Sequence, residues 1–137
     1  MKISSVKALG QKIEKGAWVR TLPGMEDLQL KVRARFNTDY LHRQEELVAA
    51  EEPANKPDGV LTKEAARRHD AILLADTVLV DWANLTDDDK NPVPYSREVA
   101  EELLLDPDEP AFRNAVNYAA MVVADQGELD LKAAAGN

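Results

Sequence analysis

The sequence predicts an α+β fold, mostly α-helical, in which a small N-terminal β-hairpin packs on about four helices, and three observations carry that prediction. Leu28, Leu30, Val32 and Ala34 alternate with Gln29, Lys31, Arg33 and Arg35, the period of a strand with one wet face. From residue 37 onward the apolar positions recur at the three-and-four spacing of helices. With 137 residues, 45% hydrophobic and 31% charged, the chain can enclose one hydrophobic core. We therefore expect a single globular domain over 1–125, an exposed internal loop at 51–60, and a flexible tail over 126–137.

The elements follow in order. Trp18, Val19 and Arg20 form the first arm of the hairpin, the turn-forming LPGMED reverses the chain, and LQLKVRAR returns. A helix starts at Asn37, with Phe36, Tyr40 and Leu47 on one side and Asp39 placed to pair with Arg43, and it runs to about Glu51. The stretch EEPANKPDG then breaks it with two prolines and a glycine.

Thr62 is suited to cap the next helix, on which Glu64 can pair with Arg68. Its stripe of Ala65, Ile72, Ala75, Leu79 and Trp82, widened by Leu73, Leu74 and Val78, predicts a central helix ending near Trp82. Ser96 caps a short helix carrying Val99, Ala100, Leu103 and Leu104, which Asp106-Pro107 stops. Pro110 opens the last helix, with Phe112, Val116, Ala119 and Val123 as its buried stripe, and GELDLKAAAGN reads as a weakly held tail.

Charge and composition exclude whole classes of function. A net charge of -8, from 25 acidic against 17 basic residues, opposes encounter with a phosphate backbone, so no nucleic-acid partner is expected. The absence of cysteine removes disulfides, thiolate zinc sites and cysteine nucleophiles. The N-terminus lacks the apolar core of a signal peptide, and no apolar run approaches the roughly 20 residues of a membrane span, so no membrane role is expected.

The chemistry-bearing candidates are few. Asp87, Asp89, Asn91 and Glu98 stand at the spacing of a calcium-binding EF-hand loop, but Pro92 occupies the position where that loop needs glycine. Proline is locked near a φ of about -65°, so the sharp reversal that gathers the ligands is closed to it, and a solvated acidic turn followed by a capped helix is expected instead. His42 and His69 each lack an i,i+4 metal partner; His42 should be a surface residue and His69 should lie at a helix face or edge. Ser4, Ser5 and Ser96 have no identifiable base, and no glycine-rich phosphate loop is present. We expect no catalytic residues, no metal and no cofactor, hence no enzyme. Lys31, Arg33 and Arg35 read as a solvated basic sheet face, with an acidic partner as the alternative.

The stretch LLADTVLVDWANLTDDDKNPVPYSREVAEELLLDPDEPAFRNAV, residues 73–116, resembles the tail assembly chaperones of long-tailed, siphovirus-type bacteriophages. The resemblance is carried by the apolar segment ending in Asp81-Trp82, the acidic turn from Thr86 to Asp89, the Pro-Val-Pro-Tyr-Ser segment, and a Glu-Leu-Leu helix followed by Phe112. WVRTLPG near the start adds weaker support, and Lys90 stands where such proteins commonly have glycine. The resemblance implies a non-enzymatic protein that binds the tape-measure protein, keeps its long helices soluble and helps recruit tail-tube subunits. It implies action in the host cytoplasm during assembly, absence from the mature virion, and in many cases a frameshifted longer form. Residues expected to bind partners are Trp82, Pro92, Pro94, Tyr95, Leu103, Leu104, Phe112 and Val116. A homo-oligomer fits a chaperone that coats a long client. The alternatives are a minor structural or tail-completion protein of the particle and, behind it, a calcium-binding domain using the 87–98 loop.

Overall fold

The computed structural model describes residues 1–135, apart from the side chains of Leu9, Lys12 and residues 127–135. Among the described residues, five helices surround a small antiparallel sheet, so the α+β, mostly helical class holds. The chain begins with a helix that the sequence reading left out, α1 (Ile3–Lys15). Ile3, Val6 and Ile13 fall on one face of it, and Gly16 closes it at φ 97°, the left-handed position that glycine adopts without strain. A side chain at Gly16 would come within 3.1 Å of the Val32 carbonyl oxygen, which is a second reason for glycine there.

The hairpin forms as expected: β1 (Ala17–Val19) pairs with β2 (Gln29–Val32), Ala17 opposite Val32 and Val19 opposite Leu30. Leu28, Leu30, Val32 and Ala34 are all buried, as their alternation requires. On the other side of β2 lies a third strand where the sequence predicted the end of the central helix. That helix, α3 (Lys63–Leu73), is capped by Thr62, whose hydroxyl accepts from the Ala65 amide at 3.2 Å. It widens into a π-turn (Leu74–Val78) and then extends as β3 (Leu79–Ala83).

Long-range bonds explain why the helix stops. The Asn37 side-chain amide donates to the Thr77 carbonyl at 2.8 Å, and the Arg33 amide donates to the Val78 carbonyl at 2.8 Å. Both carbonyls are thereby taken by partners outside the helix, and the β-branched Thr77, Val78 and Val80 suit the extended backbone that follows. The pairing skips from Lys31 opposite Asp81 to Val32 opposite Leu79, leaving Val80 as a bulge. Leu79 and Trp82 consequently both face the core, so the expected stripe is buried although its last members are not helical.

Helix α2 (Thr38–Ala50) is capped by Asn37, and Phe36 before the cap and Leu41 after it occupy the positions of a hydrophobic staple. The expected helical ion pairs give way to tertiary ones. Asp39 pairs with Arg33 at 2.8 Å, Arg43 reaches Asp76 at 3.1 Å, and Arg68 reaches Glu51 at 2.8 Å. The basic stripe of the strand is likewise not a solvated face: Arg33 also meets Glu14 of α1, and Arg35 bonds Asp70, Asn117 and the Tyr40 hydroxyl. Helices α1, α2 and α3 bring the carboxylates of Glu14, Asp39 and Asp70 to the arginines just past the end of β2.

The loop after α2 holds two short 3₁₀ turns (Pro53–Asn55 and Pro57–Gly59) and is mostly exposed. Helix α4 (Arg97–Leu105) is capped by Ser96, which accepts from the Val99 amide at 3.3 Å. Helix α5 (Ala111–Ala135) follows Pro110 and buries Phe112, Val116, Ala119 and Val123 against the sheet. It continues through the segment expected to be a tail as far as Ala135; Gly136 and Asn137 lie outside the described residues. The core lies between the sheet, α5 and the α3–α4 pair, with Leu30, Val32, Leu74, Val78, Leu104 and Val116 at its centre.

Candidate partner-binding surface

Beyond β3 the chain makes a tight acidic turn. Thr86 bridges to Pro92, and the Asp87 carboxylate accepts the amides of Asp89 and Asn91, each at 2.9 Å. The Asp87 amide donates to the Asn91 carbonyl at 2.9 Å, and the Lys90 amide donates to the Asp87 carbonyl at 3.0 Å. One oxygen of Asp87 is thus turned onto its own backbone, while Glu98 belongs to the first turn of α4. The stretch with the calcium-loop spacing thus folds as an Asx turn followed by a helix start. Among the described residues, no three His, Cys, Asp or Glu side chains are grouped to hold a metal ion, and no helix is long and apolar enough to cross a membrane.

The proline arm that follows is clamped over Trp82. The Val93 amide donates to the Leu85 carbonyl at 2.8 Å, and the Trp82 indole N–H donates to the Val93 carbonyl at 2.7 Å. The Trp82 ring meets Tyr95 edge to face at 5.0 Å and Phe112 at 6.0 Å. Burial and the nearby Asp81 carboxylate hold the Tyr95 hydroxyl above the ordinary phenol range. Trp82, Pro92, Pro94, Tyr95 and Phe112, expected to act together, are therefore one cluster. Pro92 and Pro94 are exposed, Tyr95 and Leu103 half-buried, and Trp82, Phe112, Leu104 and Val116 lie beneath them in the core.

Between this arm and the β1–β2 loop runs an open groove of about 800 Å³. Leu28 and Trp82 line it, Pro92 and Pro94 stand on one lip, and Glu26 and Asp27 stand on the other. The Asn84 side chain crosses between the lips to the Asp27 carbonyl at 2.9 Å. Three non-glycine residues lining the groove have positive φ, namely Glu26 at 53°, Asn84 at 67° and Lys90 at 64°. Such strain in L-residues is uncommon and gathers at functional surfaces. Glu26 and Asp27 on one lip and Lys90 on the other are exposed, and the turn that carries Lys90 also exposes Asp87, Asp88 and Asp89.

A smaller apolar cleft of about 380 Å³ adjoins it, formed by Leu22, Pro23 and Met25 against Ala111, Ala115 and Tyr118 of α5. Gly24 and Met25 line both, so the two make one continuous surface. On α5, Tyr118 is 37% exposed and Met121 53%, one turn apart. Sequence reasoning missed this face, although the run Tyr118-Ala-Ala-Met-Val-Val-Ala was a signal: a helix apolar on every side has more to cover than one core stripe.

The two histidines separate. His42 is exposed, as expected, while His69 lies on a face of α3, also as expected, and is buried there because Glu51 reaches over it and shares a 2.8 Å hydrogen bond with its Nε2. Burial works against ionisation of the Glu51 carboxyl, but hydrogen bonds from Asn55, Arg68, His69 and the Glu52 amide outweigh it and lower its pKa to about 2.

The family model described as YdaY prophage protein matches residues 31–137 of the chain. The matched segment contains the 84–94 lip of the groove and all of α5, while α1 and the 24–28 lip precede it. Neither the curated proteins nor the solved structures give a significant match.

Proposed function

The chain belongs to the YdaY prophage protein family, and on that footing we propose that this phage-derived protein is a non-enzymatic tail assembly chaperone. It binds the tape-measure protein, helps recruit tail-tube subunits, acts in the host cytoplasm during assembly and is left out of the mature virion. The observation that supports this reading best is the continuous surface joining the clamped proline arm to the apolar cleft on α5. Tyr118 lies open on it beside Ala111 and Ala115, and Met121 is exposed one turn further along α5, an arrangement that suits a groove receiving the apolar face of a partner helix. A tape-measure helix has such a face to cover. Pro92, Pro94, Tyr95 and Leu103 extend the contact, and Trp82, Leu104, Phe112 and Val116 hold them in place from below. The acidic surface keeps the loaded complex soluble.

The test is co-expression with tape-measure fragments. The wild type should raise the soluble yield of at least one fragment, and Tyr118→Asp with Met121→Asp should abolish that gain while the protein itself stays folded. If no fragment is solubilised and the protein is recovered in purified mature particles, it is a structural or tail-completion protein instead.

A further inference from the structure

The first two turns of α1 carry Ile3 and Val6, 74% and 49% exposed, on the face whose continuation at Ile13 is packed against the core. Lys2 and Lys7 flank them and are exposed as well. This end of the molecule is basic and apolar in a protein that is otherwise acidic. The groove between Trp82 and the β1–β2 loop has the complementary character: its apolar walls are Leu28, Trp82 and Pro92, Glu26 and Asp27 line one lip, and Lys90 on the other lip is preceded in the same turn by the exposed Asp88 and Asp89.

Within one copy the two features are rooted at opposite ends of the sheet. Helix α1 enters β1 where Ala17 pairs with Val32, whereas the groove opens beyond the pair of Gln29 with Ala83. Pairing two α1 ends symmetrically would set Lys2 and Lys7 against their own copies. A groove on a second molecule sets them against carboxylates.

We propose that the groove is a docking site for the α1 end of a second copy of this chain, with Ile3 and Val6 seated over Trp82 and Leu28, and Lys2 and Lys7 against the acidic residues of the lip and the turn. Such a contact joins unlike surfaces, so it repeats head to tail into a row or a ring rather than closing as a two-fold dimer. In such a row the proline lip is taken up by the joint between copies and the client is left with the α5 cleft, and neighbouring clefts become a multivalent track for one long client.

Sedimentation velocity on the purified protein, with no client present, tests the contact separately from the tape-measure reading. Association should rise with protein concentration, and it should weaken at least about tenfold between about 0.1 M and about 1 M salt, as the screening length falls from about 10 Å to about 3 Å. Ile3→Asp with Val6→Asp removes one half of the joint, and Asp27→Lys with Asp88→Lys removes the other; all four side chains are exposed, so the fold should survive, as circular dichroism will check. Each double variant alone should be monomeric, yet the two mixed should form a one-to-one complex and stop there, because only one productive joint remains. Lys2→Glu with Lys7→Glu should also be monomeric, and adding Asp27→Lys with Asp88→Lys to the same chain should restore association. A wild type that is monomeric at every concentration, variants that associate like the wild type, or a mixture that fails to pair would each overturn the proposal.

Discussion

At the scale of single residues, Asn37 does more than its place before a helix suggests. Its side-chain oxygen accepts from the Tyr40 amide at 2.9 Å, and its nitrogen donates to the carbonyls of Ala34 and Thr77, each at 2.8 Å. One buried amide therefore starts α2, fixes the exit of β2 and ends the π-turn. Asn37→Ala removes the cap and leaves two carbonyls unpaired, so we expect it to destabilise the fold by about 2–4 kcal/mol, read as a lower urea midpoint at unchanged slope. Asn37→Asp keeps the cap but cannot donate, and should recover only the smaller part of that loss. Lys90 makes the opposite case. Its φ of 64° is left-handed, a conformation that disfavours an L-residue by about 1–2 kcal/mol, and glycine there gives back part of the relief as chain entropy. We expect Lys90→Gly to raise stability by up to about 1 kcal/mol, visible as a higher melting temperature.

At the scale of elements, the proline arm is held by its clamp rather than by its prolines alone. Trp82→Phe keeps a ring against Tyr95 and Phe112 but leaves the Val93 carbonyl without its indole donor. We expect a global loss of about 1–2 kcal/mol and faster hydrogen exchange of the Val93 amide, which bonds Leu85 across the same turn; unchanged exchange there would mean that the arm is fixed by other contacts. The contrast between arm and strand shows what could be read from the sequence. Caps at Thr62 and Ser96 and the alternation from Leu28 to Ala34 are local chemistry, and they are where the pattern put them. The change from α3 to β3 is mostly not local: the stripe from Ala65 to Trp82 keeps a helical phase, and bonds from Asn37 and Arg33 end the helix where Thr77, Val78 and Val80 favour extended backbone. Helix α1 did carry a local sign, Gly16 after a lysine-bearing last turn, which the strand reading at Trp18 overshadowed. The site divides the same way. Trp82, Pro92, Pro94 and Tyr95 are near neighbours in sequence and were legible together, but the facing lip at 24–28 is set by the register of β2 on β3.

At the scale of the whole molecule, the response of stability to acid depends on how carboxylates are held rather than on their number. Glu51 stands where the end of α2, the 51–60 loop and α3 meet, accepting from Asn55 at 3.3 Å, the Glu52 amide at 3.1 Å, and Arg68 and His69 at 2.8 Å each. Those bonds outweigh its burial and bring its pKa from an ordinary 4.5 to about 2 in the folded protein. The folded state thus takes up a proton at Glu51 less readily than the unfolded chain does. The stabilisation is complete above pH 4.5 and is lost as the pH falls toward 2. Glu51→Gln cannot titrate, so at neutral pH it should melt below the wild type, with the gap narrowing steadily through that acid window. Both proteins also lose their other ion pairs in acid, and the difference between two calorimetric series isolates the one carboxylate from that shared decline. Parallel melting curves from pH 7 to 2.5 would mean that the four hydrogen bonds hold the loop equally well without the charge.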